Sequence, residues 1–103
     1  MNNDANTTPS PRPDQWVFVI VQDHEKNPQI AGQHDTAADV AYIAAYGSRE
    51  DAQQGLLHLT LPKSARYEIH AFMFDDLCAQ ARAGGFLVYL VDAQGVIMKK
   101  MTP

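Results

Sequence analysis

With 103 residues, 46% of them hydrophobic and 19% charged, the chain has material for one core and one domain, so a second domain is excluded. Its net charge of -4, with Lys99-Lys100 as the one basic doublet, excludes the clustered cations that nucleic acid or an anionic membrane surface requires. A lone cysteine closes no internal disulfide, and the longest apolar runs are strand-sized, far below the roughly 20 residues of a membrane helix.

Residues 1–14 are polar and broken by Pro9, Pro11 and Pro13, which predicts a disordered N-terminal arm ahead of a single domain over 15–103. Trp16-Val17-Phe18-Val19-Ile20-Val21 is β-branched and aromatic without alternation, the pattern of a central strand covered on both faces. Residues 23–28 are turn chemistry, and residues 29–33 return as a short strand with Gly32 at a bulge or bend. After a loop over 34–39, residues 40–46 form the next strand.

Ser48 is an N-cap with Glu50 and Asp51 at the positive end of the helix that follows. Ala52, Leu56 and Leu59 make one apolar stripe along it, and residues 61–64 end it. In the strand over 67–72, Tyr67, Ile69 and Ala71 alternate with Glu68 and His70, so one face meets water or something polar. A second helix over 75–83 buries Leu77, Cys78 and Ala81, and Gly84-Gly85 stops it. Residues 86–91 are another apolar strand, and Asp92-Ala93-Gln94-Gly95 turns into a closing hairpin strand at 96–99.

The expected fold is therefore α+β: a mixed sheet of five or six strands with two helices, in the order β-β-β-α-β-α-β-β. Right-handed crossovers are expected to join residues 40–46 to 67–72, and those to 86–91.

Chemistry-bearing residues are few. Cys78 falls on the buried stripe of its helix and has no second thiol to resolve an oxidised form, so an inert core thiol is expected. His24, His34, His58 and His70 are scattered; the best metal arrangement, Asp23-His24 facing His34-Asp35, lacks ligand spacing. Glu68 and His70 share a strand face and, with Tyr89, mark a candidate pocket, although no nucleophile or anion-holding loop accompanies them. Gly84-Gly85 lies between helix and strand, the reverse of the order that aims backbone N–H groups at a phosphate. No catalytic residue, cofactor or metal site is assigned.

The segment Tyr42-Ile43-Ala44-Ala45-Tyr46-Gly47-Ser48-Arg49-Glu50-Asp51-Ala52, an apolar strand running into an aromatic, a serine cap and an acidic helix start, resembles SseB-like domains. These are small bacterial α+β domains, and the likeness in element order runs from about Trp16 to Ile97. Ala44, Tyr46-Gly47 and Asp92-Ala93-Gln94-Gly95 depart from that pattern. The resemblance implies a non-catalytic binding or accessory module.

The sequence thus leads to a cytoplasmic protein-interaction module, homodimeric through a sheet face or edge. Trp16, Phe18 and Ile20 are its candidate interface, because two short helices on one side would leave that face bare. The alternative is a small ligand-binding protein or enzyme with a pocket near Glu68, His70 and Tyr89. An unidentified protein partner fits the first reading; nucleic acid and membrane fit neither.

Overall fold

The computed structural model describes residues 9–23 and 27–103. Its elements follow the order β1 (Trp16–Gln22), β2 (Gln29–Ile30), β3 (Gly32–Asp35), β4 (Val40–Ala45), α1 (Arg49–Gly55), a 3₁₀ turn (Leu56–His58), β5 (Tyr67–Met73), α2 (Phe74–Gly84), β6 (Leu87–Val91) and β7 (Ile97–Met101). The fold is α+β with two helices, and its strands divide between two sheets, β2-β1-β5 and β3-β4-β6-β7.

The division turns on one residue. The expected short second strand bends at Ala31, whose N–H donates to the Ile20 carbonyl at 2.9 Å. The part before the bend pairs with β1 and the part after it with β4, both antiparallel. Gly32 follows because the Phe86 ring lies against it: a Cβ there would sit 2.7 Å from Phe86 Cε1. A second seam ties the sheets together where Phe18 and Tyr46 exchange backbone hydrogen bonds of 2.9 and 2.8 Å.

Neither expected crossover forms. β5 pairs antiparallel with β1, and the parallel partner of β4 is β6, so the connection between β4 and β6 contains α1, β5 and α2. The consequence is two cores. Val17, Val19 and Val21 of β1 pack with Ile43, Ala45, Val88 and Leu90 under Leu77 and Ala81 of α2. Ile20 and the partly buried Phe18 face the other way, onto Tyr46, Tyr89, Val91, Leu56, Leu59 and Leu61. The bare face expected around Trp16, Phe18 and Ile20 is thus closed from within: Ile20 is 2% exposed, and of the three only Trp16, at 56%, stands at the surface.

Local signals behave as the chemistry dictates. Ser48 Oγ accepts the Asp51 N–H at 3.0 Å, Gly85 ends α2 in the left-handed region at φ 79°, and Asp92 Oδ1 accepts the Gln94 and Val96 N–H groups in the β6–β7 turn. Helix α1 is shorter than expected. It tightens into the 3₁₀ turn after Gly55, and Leu59 is already extended while still reaching the second core. Gly55 is required where it stands, because a Cβ would meet Tyr46 Cε1 at 2.2 Å.

Of the expected disordered arm, residues 1–8 lie outside the described residues, as does His24 in the β1–β2 loop. The rest is docked. Pro11 is buried, and the Pro13 and Gln15 carbonyls accept the Asp75 and Phe74 N–H groups at 3.0 and 2.9 Å. These carbonyls satisfy donors that the start of α2 would otherwise leave open, since Met73 offers no side-chain cap. Among the described residues no helix is long and apolar enough to cross a membrane.

Candidate functional site

Two polar constellations and the strand edges are the places where this fold can act. The first constellation is a clamp across the four-stranded sheet. Asp35 ends β3, Tyr89 lies in β6, and Lys100 stands directly opposite Tyr89 on β7. The Asp35 carboxylate accepts from the Tyr89 hydroxyl at 2.7 Å, from Lys100 Nζ at 3.0 Å and from the Ala38 N–H at 3.2 Å. Tyr42 of β4 stacks on Tyr89 with ring centroids 4.1 Å apart, and Lys100 Nζ lies 5.2 Å from the Tyr89 ring centroid.

The hydrogen bonds from Tyr89, Lys100 and Ala38 lower the Asp35 pKa to about 2. Burial, with the bond to Asp35, raises that of Tyr89, while the bond to Asp35 raises that of Lys100. Each shift strengthens the protonation state the group already holds at neutral pH. A base or nucleophile is tuned in the opposite sense, so this cluster is built as a fastener.

No local pattern marks it, because Asp35 lies 54 residues from Tyr89 and 65 from Lys100. Of the candidate metal arrangement Asp23-His24 with His34-Asp35, the His34 Nε2 bonds Asp39 Oδ1 at 3.1 Å and Asp35 belongs to the clamp. Among the described residues there is no group of three or more His, Cys, Asp or Glu placed to hold a metal ion.

The second constellation is Glu68 with His70 on β5. Their shared face brings Glu68 Oε1 to 2.8 Å from His70 Nε2, both side chains partly exposed. Tyr89 does not join them: it is fully buried and engaged in the other sheet. His70 lines a cleft of about 330 Å³ with Val21, Pro28, Ile30, Phe72 and Gln80, at the corner that α2 leaves open. Cys78 is buried on α2, and burial pushes its thiol pKa up, away from reactivity.

The strand edges differ in their protection. β7 carries Lys99 and Lys100, and a register shift beside Leu90 and Val91 leaves Met98 as a bulge, two devices that blunt edge pairing. At β3 the Gln33 side chain bonds the Gly32 carbonyl and both backbone groups of Thr60, at 2.9 to 3.0 Å, laying the 59–61 segment against that strand.

β5 is seven residues long, in unbroken register with β1, and has neither lysine nor proline. The Phe74 N–H bond to Gln15 and the Asp23 N–H bond to Arg66 continue its ladder at both ends. By antiparallel alternation, Glu68, His70 and Phe72 bond β1, and Tyr67, Ile69, Ala71 and Met73 aim N–H and C=O groups outward. The position of Arg49 agrees: its Nη1 donates to the outward Ile69 carbonyl at 2.9 Å while the guanidinium sits 5.5 Å from the Phe18 ring centroid.

The chain matches no family model, and neither a curated protein nor a solved structure is significantly similar to it.

Proposed function

We propose that this chain is a non-catalytic, cytoplasmic protein-interaction module that binds by strand addition to the open edge of β5. The observation that carries the reading is the outward row of backbone groups on Tyr67, Ile69, Ala71 and Met73, of which the Ile69 carbonyl accepts from the Arg49 guanidinium and Ala71 is exposed. The acidic balance of the chain favours a protein over nucleic acid or membrane as partner. The SseB-like resemblance of residues 42–52 points to the same class of module.

Amide hydrogen exchange tests it. In dilute protein the Ile69, Ala71 and Met73 amides are expected to exchange quickly, and an extract of the host is expected to protect those three together. An Ala71→Pro variant, which removes an outward donor and leaves the β1 pairing in place, is expected to lose that protection. Equal exchange of these amides in dilute protein, in concentrated protein and with extract overturns the reading.

The cleft beside His70 supports a second reading, a small-ligand site on Glu68 and His70 without Tyr89. Its volume of about 330 Å³ falls at the low end of small-molecule pockets, and its lining mixes Val21, Ile30 and Phe72 with His70 and Gln80. A saturable rise in melting temperature for one class of metabolite, lost in Gln80→Ala, would favour this site.

A further inference from the structure

We infer that the strand added to β5 is the β5 of a second copy, paired antiparallel about a twofold axis at Ile69. The inference rests on the strand-addition reading and adds the partner and the register.

Alternation restricts the choices. The outward residues must bond outward residues of the partner, so a twofold axis can pass through Ile69, His70 or Ala71 and keep most of the ladder. An axis at His70 sets the two imidazoles against each other and Glu68 against Phe72. An axis at Ala71 sets His70 against Phe72 and leaves Glu68 without a polar neighbour across the pair. An axis at Ile69 places Glu68 opposite His70 of the second copy, and His70 opposite its Glu68.

Those two contacts fall at non-hydrogen-bonded positions, where facing side chains are closest. Combined with the 2.8 Å Glu68–His70 bond inside each chain, they alternate carboxylate and imidazole around the axis. On the opposite face Tyr67 comes to lie over Ala71, a large ring beside a small side chain. The result is a continuous sheet of six strands with β5 no longer at an edge.

At the axis, Ile69 of each copy needs its carbonyl for the other, the same carbonyl that Arg49 occupies in the single chain. Arg49 therefore competes with the second copy. This guard makes association reversible and gives it a defined point of control.

Sedimentation velocity of the full chain from about 1 to 200 µM is expected to show a monomer–dimer equilibrium. His70→Glu sets two carboxylates opposite each other and Glu68→Lys replaces the carboxylate that meets the imidazole; each is expected to raise the dimer Kd about three- to tenfold, while the double exchange, which sets Lys against Glu, restores it. Arg49→Ala is expected to lower it. Far-UV circular dichroism confirms that these variants fold.

Register is read separately by mixing Glu68→Cys with His70→Cys protein under mild oxidation. The mixture is expected to give a cross-linked dimer that neither variant gives alone, because only the mixed pair meets disulfide geometry. A monomer at every concentration, homotypic cross-links, or failure of the double exchange to restore pairing each overturns the proposal. A monomer whose Ile69, Ala71 and Met73 amides are still protected by a host component overturns self-pairing and leaves strand addition standing. No protection in either setting removes both.

Discussion

Tyr46 is fully buried, its hydroxyl has no hydrogen-bond partner among the described residues, and burial pushes its pKa up to about 12. An unsatisfied buried hydroxyl destabilises, so Tyr46→Phe is expected to raise stability to urea by about 0.5–2 kcal/mol. Gly55→Ala is expected to lower it by about 1–3 kcal/mol, because the new methyl overlaps the same ring. At Asp35 the effect depends on pH. Its folded pKa of about 2 lies below the ordinary 3.8, so its ionisation favours the folded state above about pH 4 and stops doing so as pH falls toward 2. The melting temperature of Asp35→Asn is expected to lie below that of the parent at pH 6, with the gap closing between pH 4 and pH 2. Ser48, Gly85 and Asp92 were legible in the sequence because a cap or turn is a property of a few adjacent residues. Gly55 and Asp35 were not, since the need for each arises from a ring or a cation brought in from another strand.

Among the elements, α2 shows how a helix start can be satisfied by chain that composition marks as unstructured. A chain beginning at Gln15 loses the Pro13 carbonyl and buried Pro11, and with them about 1 kcal/mol, which in a domain of this size lowers the melting midpoint by roughly 4 to 8 °C. Scanning calorimetry of the two chains checks this. The apolar periodicities of β1, β4, β6 and α2 announced these elements, because burial of a strand or helix face is written along the segment itself. Pairing is written nowhere along the segment. The two β1 faces are both apolar, and from sequence that pattern fits a helix cover or a second sheet equally well. Glu68 and His70 were identified together because they are two apart on one strand, whereas Tyr89, grouped with them from its residue type, belongs to the other sheet.

At the scale of the molecule, the bent strand through Ala31 and the Phe18–Tyr46 seam make two sheets into one cooperative body. Trp16 reports on the first sheet and the Tyr42–Tyr89 stack on the second. Tryptophan fluorescence and near-UV circular dichroism are therefore expected to give superimposable urea transitions, and separated midpoints would show that the sheets unfold independently. The Asp35 clamp also sets an order of events on the ribosome. Because Lys100 lies 65 residues downstream, a nascent chain growing at about 5–20 residues per second holds Asp35 without that partner for roughly 3 to 13 seconds. Until Leu87–Val91 is made, late in that interval, β3 and β4 stand as a hairpin with no β6 to pair against. Lys100 and its strand thus fasten the sheet well after β3 and β4 are made, and a chain stalled or cut before them is left with an open sheet for chaperones to bind or proteases to remove.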